Sequence, residues 1–106
     1  MNVEHVPAGM GQWHANPDGV GTFRLLRAHP DGGVTVESAF EAGARSGSHG
    51  HPGGEELVML EGRALVGDID LGPGDYLYTP PGADHRLEAL SDCRLVLFLP
   101  AVPTYS

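Results

Sequence analysis

The sequence predicts an all-β fold in which short strands close into a double-sheet barrel. Sixteen glycines and nine prolines punctuate 106 residues at short intervals. No stretch of helical length carries a clean apolar period of 3.6 residues. Over 33–41, Val34, Val36, Ser38 and Phe40 alternate with Thr35, Glu37, Ala39 and Glu41, which gives one buried and one wetter face.

Taken in order, residues 1 to about 19 form a Gly-, Pro- and Asn-rich arm able to add an edge strand. Strands are expected at 21–28 and 33–41, joined by Asp31-Gly32-Gly33 in the manner of a hairpin. They continue at 46–51, 55–60 and 63–68, then turn at Gly72-Pro73-Gly74 into 76–79. Runs at 85–89 and 93–99 complete the set, and 101–106 is a tail. Their order and lengths suit a jelly roll, and 106 residues suffice for one core, hence one domain over 1–106 with its barrel at 20–100. The runs LVML and LVLFLP are apolar at every position, so a barrel this small needs a second cover, and a homodimer is the expected one.

Composition excludes several functions. Fourteen acidic residues face six arginines, for a net charge of −8, which works against nucleic-acid phosphate and anionic membrane surfaces. The chain has no lysine, which removes Schiff-base catalysis, a Walker A loop and a Lys general base within it. Cys93 is the single cysteine, so no intramolecular disulfide forms. The N-terminus lacks a basic stretch followed by an apolar run, and no apolar segment approaches the ~18 residues of a membrane span. A soluble, cytoplasmic protein is expected.

The chemistry concentrates between Gly43 and His85. The first block runs Gly43, five residues, His49, one residue, His51, three residues, Glu55, six residues, Gly62. The second runs Gly74, five residues, Pro80, one residue, Gly82, two residues, His85. Side chains two apart on a strand share a face, so His49 and His51 can aim at one point. Pro52, Gly53 and Gly54 bend the chain so that Glu55 can swing back toward it, and Pro81-Gly82 delivers His85 from a partner strand.

These two blocks resemble the motifs of the cupin superfamily, small β-barrels, at nine spaced positions within the central 43 residues. The resemblance implies a metal site of His49, His51, Glu55 and His85. Two departures stand out: Ala89 replaces the usual Asn four residues after the motif histidine, and the stretch from Gly62 to Gly74 is short. The lost Asn is not a ligand in the family, so the site survives, and the short stretch implies a minimal barrel. Three imidazoles and a carboxylate suit iron, manganese, nickel, copper or zinc, with positions left for a small-molecule ligand. Enzymatic cupins of this kind resemble dioxygenases acting on diketones, flavonols or aromatic ketones, in which Glu55 would double as general base. The same blocks look like the cupin domain of ChrR-type anti-sigma factors, which implies the alternative of a non-catalytic, metal-dependent sensor or small-molecule binder. A sugar isomerase or epimerase ranks lower, because few arginines and no lysine offer little to hold a phosphate.

Other residues have ordinary readings beside the functional ones. His5 and His14 are expected to be solvated, His29 to serve a turn and Cys93 to be a core thiol. Glu56 should face away from the site, on the surface or in a dimer contact. Tyr76 and Tyr78 share one face and either line the substrate pocket or simply pack. Arg24, Arg27 and Arg86 are candidates to bind a carboxylate, with nothing to choose among them.

Overall fold

In the computed structural model, residues 2–47, 49–101 and 104–105 are described, with strand pairing alone at 49–50 and 104–105. Twelve strands and no helix occur among the described residues. They are β1 (His14–Ala15), β2 (Thr22–Ala28), β3 (Val34–Phe40), β4 (His49–Gly50), β5 (Glu55–Glu61), β6 (Ala64–Val66), β7 (Ile69–Leu71), β8 (Tyr76–Thr79), β9 (Asp84–His85), β10 (Leu87–Ala89), β11 (Cys93–Leu99) and β12 (Thr104–Tyr105). No described helix is long and apolar enough to cross a membrane.

One sheet has six strands in the order β1-β2-β3-β11-β5-β8, and two three-stranded sheets run β10-β6-β7 and β12-β4-β9. Every pairing is antiparallel. The β2–β3 hairpin turns at Asp31–Gly33, where the His29 amide donates to the Gly33 carbonyl at 2.8 Å. The expected run at 85–89 is divided, because β9 pairs with β4 and β10 pairs with β6. The arm supplies β1, an edge strand on β2, while β7 and β12 carry no alternation long enough to read in the sequence.

Cross-strand register divides the six-stranded sheet into two faces. Leu57, Met59, Leu95 and Leu97 point inward, and they pack with Ala64, Val66, Leu71, Leu87, Ala89 and Cys93 into the core. Outward lie Leu60 and Phe98, which remain 39% and 38% exposed, so the all-apolar runs do present a second apolar face. The core fills the end of the strands near Met59, Cys93 and Leu95, and the other end, near Glu55, Val34 and Leu99, is where the site lies.

A buried ion network straps the arm to the outside of this sheet. Glu37, 3% exposed, accepts from Nε and Nη2 of Arg24 at 2.9 and 2.7 Å, and its other oxygen takes Arg94. Burial pushes the Glu37 carboxyl up, but the hydrogen bonds and charges of the two arginines outweigh it and hold it below the usual range. Arg24 Nη1 then donates to the carbonyls of Pro7 and Met10. Of the three arginines considered for a carboxylate ligand, Arg24 is thus occupied internally, Arg27 pairs with Glu4, and Arg86 is exposed.

Candidate metal centre

Three of the four expected ligands are brought together. The Gly54 amide bonds the His51 carbonyl at 3.0 Å, closing a tight turn that sets His51 and Glu55 beside each other. Gly54 takes φ +79° there, and a Cβ would meet the Thr79 carbonyl oxygen at 2.9 Å, so the turn requires glycine. Strand β9 carries His85 to the same point from the second motif. His51 Nε2 lies 3.0 Å from Glu55 Oε2 and 3.0 Å from His85 Nε2, and His85 Nε2 lies 3.6 Å from Glu55 Oε1. His51 and Glu55 are 2% and 3% exposed. The backbone register sets His49 opposite His85 across the β4–β9 pair, while its side chain lies outside the described residues.

The donor set fits a metal ion. With metal–nitrogen distances of about 2.1 Å, two ligand atoms at a right angle stand about 3.0 Å apart and at a tetrahedral angle about 3.4 Å. The observed separations of 3.0, 3.0 and 3.6 Å fall on those edges. Burial pushes the Glu55 carboxyl up to about 7, so near neutral pH the ion-free carboxyl is partly protonated and a cation would compete with that proton. Thr79 Oγ1 is 3.1 Å from His85 Nδ1, a contact that, with Nδ1 donating, leaves the Nε2 lone pair aimed at the cluster.

His51 and Glu55 border a cavity of about 640 Å³ whose remaining wall is largely apolar: Phe23, Leu25, Val34, Val36, Leu97 and Leu99. The size suits a small organic ligand, for which pockets run about 300–1,000 Å³. The arm supplies one side through His14, Ala15, Asn16 and Pro17.

Residues 3–103 match the ChrR cupin-like domain family. The chain belongs to that family. A curated relative, the DNA damage-repair/toleration protein DRT102 of Arabidopsis thaliana, is 32% identical over 78 residues, covering 68% of this cupin and 24% of the relative. The chain therefore spans about a quarter of the length of the curated protein it matches. An acetylacetone dioxygenase candidate from Methylibium petroleiphilum PM1 superposes with a TM-score of 0.87 at 20% identity, over 100% of this chain and 82% of that one. The polyketide cyclase RemF of Streptomyces resistomycificus gives 0.82 at 20% identity, over 98% and 83%. ChrR, in the Rhodobacter sphaeroides complex of SigE with that anti-sigma protein, gives 0.75 at 20% identity, over 88% and 51%. At these identities the likeness shows the fold, and one fold hosts many reactions.

The structure of this cupin corrects the pocket role offered for Tyr76 and Tyr78 and adds to that of His14. Tyr76 and Tyr78 lie on the outer face of β8, 56% and 54% exposed, and do not line the cavity; their strand partners are the outward Val58 and Glu56. Glu56 is exposed, as expected, and accepts a hydrogen bond from the Tyr76 hydroxyl at 2.8 Å. His14 is exposed but packs its ring against Phe23 at 5.6 Å and borders the cavity, so it is more than a solvated arm residue. His29 caps its turn by bonding Thr35 at 2.7 Å. Cys93 is buried in the core, where burial pushes its thiol up. Thr79 and the arm residues were not legible as site residues, because their roles depend on pairing across the sheets.

Proposed function

We propose that this cupin holds one divalent first-row transition metal through His51, Glu55 and His85, with His49 as the fourth ligand, and binds a small oxygenated molecule beside it. The reaction proposed is a non-haem dioxygenation of a diketone, flavonol or aromatic ketone. The observation that carries this reading is the buried His-Glu-His donor set opening onto an apolar cavity of about 640 Å³. A metal bound there would supply Lewis acidity toward paired ligand oxygens and, if redox-active, a route to dioxygen. The chain's own residues account for the rest. Phe23, Leu25, Val34 and Val36 would hold the ligand body and keep water out. Glu55, a buried carboxylate bordering the ligand space, would take the proton from an acidic ligand carbon on loosening from the metal.

The second reading is a metal-dependent sensor or binder without turnover, favoured by the ChrR cupin-like family match over 3–103. Partners under either reading are a small-molecule ligand and a second copy of the chain, with no nucleic acid, given the net charge of −8. The homodimer reading is supported by Leu60, Phe98, Tyr76 and Tyr78 exposed on one sheet face.

The deciding experiment is elemental analysis of protein never exposed to chelator, with dioxygen uptake measured on pentane-2,4-dione and 1-phenylbutane-1,3-dione. Near-stoichiometric redox metal, with uptake lost in His51→Ala, is the result expected. Stoichiometric metal without uptake transfers the assignment to the sensor reading, and an absence of metal in the wild type defeats both.

A further inference from the structure

Among the described residues, Ser38 is a buried polar residue whose hydroxyl makes no hydrogen bond within the fold. It sits in the middle of β3, between Phe23 on β2 and Leu95 on β11, on the inward face. It is 3% exposed, and among the described residues its hydroxyl has no hydrogen-bond partner. The other two buried hydroxyls are used: Ser46 Oγ accepts the Leu87 amide, and Thr79 bonds His85. The hydroxyl is not among the fully enclosed, unpartnered atoms of the described residues, so it keeps access to the space beside it and is free to bond what enters there.

Ser38 borders the large cavity together with His51 and Glu55, and also a neighbouring space of about 50 Å³ bordered by Glu55 and His85. Asn16 of the arm borders both as well; its Nδ2 donates to the Val20 carbonyl, while its Oδ1 has no partner among the described residues. Apart from the cluster itself, the cavity wall between these two residues is predominantly hydrocarbon.

We propose that Ser38 is a second polar anchor of the ligand site, bonding a hydroxyl or carbonyl on the body of a ligand whose oxygen pair lies at His51, Glu55 and His85. The inference rests on the ligand-binding reading above and narrows its class. The ligand is an apolar molecule with a chelating oxygen pair and a separate hydrogen-bonding group that reaches the wall at Ser38. A site built to bond such a group discriminates strongly against analogues that lack it.

The test uses the full chain loaded with zinc, which carries no redox chemistry. The probes are 1-phenylbutane-1,3-dione and its 2-, 3- and 4-hydroxyphenyl counterparts, titrated by calorimetry. Wild type should bind at least one hydroxylated isomer about 10-fold more tightly than the parent, as one good hydrogen bond allows. Ser38→Ala should lose that preference, keep its affinity for the parent, and melt no lower than wild type. Equal affinities in wild type, or a preference that survives in Ser38→Ala, would overturn the inference while leaving the diketone reading intact. Failure of every probe to bind wild type overturns both. A Tm several degrees lower in Ser38→Ala would mean that the hydroxyl serves the fold, and overturns the inference without any ligand.

Discussion

Arg24→Met removes a guanidinium that is 5% exposed and bonded on three sides: to Glu37 at 2.9 and 2.7 Å, to the Pro7 carbonyl at 3.0 Å and to the Met10 carbonyl at 2.7 Å. Methionine keeps most of the aliphatic stem, so the change isolates the charge and its hydrogen bonds. Glu37, 3% exposed, would be left with Arg94 as its sole cation. Removing one partner of a buried ion pair costs about 3–5 kcal/mol, and the surviving Arg94 contact argues for the lower end, about 3 kcal/mol. The arm carbonyls add little, since water can replace the lost donor. At roughly 4 °C per kcal/mol for a chain of this length, Tm should fall by about 12 °C. Trp13, the single tryptophan, lies 5.9 Å from the Arg24 Cζ and reports the arm directly, so its emission should shift to the red. Because residues 14–17 wall the cavity, ligand release should also quicken. A Tm loss under about 4 °C with unchanged Trp13 emission would refute the view that this network straps the arm down.

Three further outcomes are expected. Thr79→Val should weaken zinc binding by about 10- to 100-fold through loss of the His85 Nδ1 contact, with Thr79→Ser restoring it, measured by competition with a chelating dye; equal affinity in all three proteins would remove Thr79 from the site. Gly62→Ala should cost about 3 kcal/mol or more in urea unfolding, since Gly62 has φ +75° and its Cβ would meet the Asp92 carbonyl oxygen at 2.1 Å; a loss below ~1 kcal/mol contradicts this packing. Glu55 links stability to pH with opposite signs in the two forms. Burial raises its folded value to about 7 from 4.5, so the metal-free protein has this contribution in full below the unfolded value and loses it as pH rises through 7. Zinc binding instead needs the carboxylate and neutral imidazoles, so the stabilisation by zinc should grow over the same range. Melting curves between about pH 5 and pH 8, with and without zinc, check this, and parallel slopes would refute it.

Much of the candidate site was legible because its information is local. His51 and Glu55 are four residues apart across one Pro-Gly-Gly turn, and His85 follows a Pro-Pro-Gly turn, so short-range backbone rules bring donor types together without knowledge of the rest. Strand existence was legible for the same reason, since alternation over 33–41 is a property of consecutive residues. The faces were not. Alternation places Tyr76 and Tyr78 on one side of β8 but does not say which side faces the barrel. The pairing of Thr79 with the inward Glu55 sends Thr79 into the site and both tyrosines out of it. The division of 85–89 between two sheets, the strap from Arg24 to the arm, and the unpartnered Ser38 hydroxyl depend in the same way on partners distant in sequence. Residue types and spacings along the chain thus determined the chemistry available at the site. Cross-strand register, set by burial of one face of each strand against residues far along the chain, decided which side chains share it.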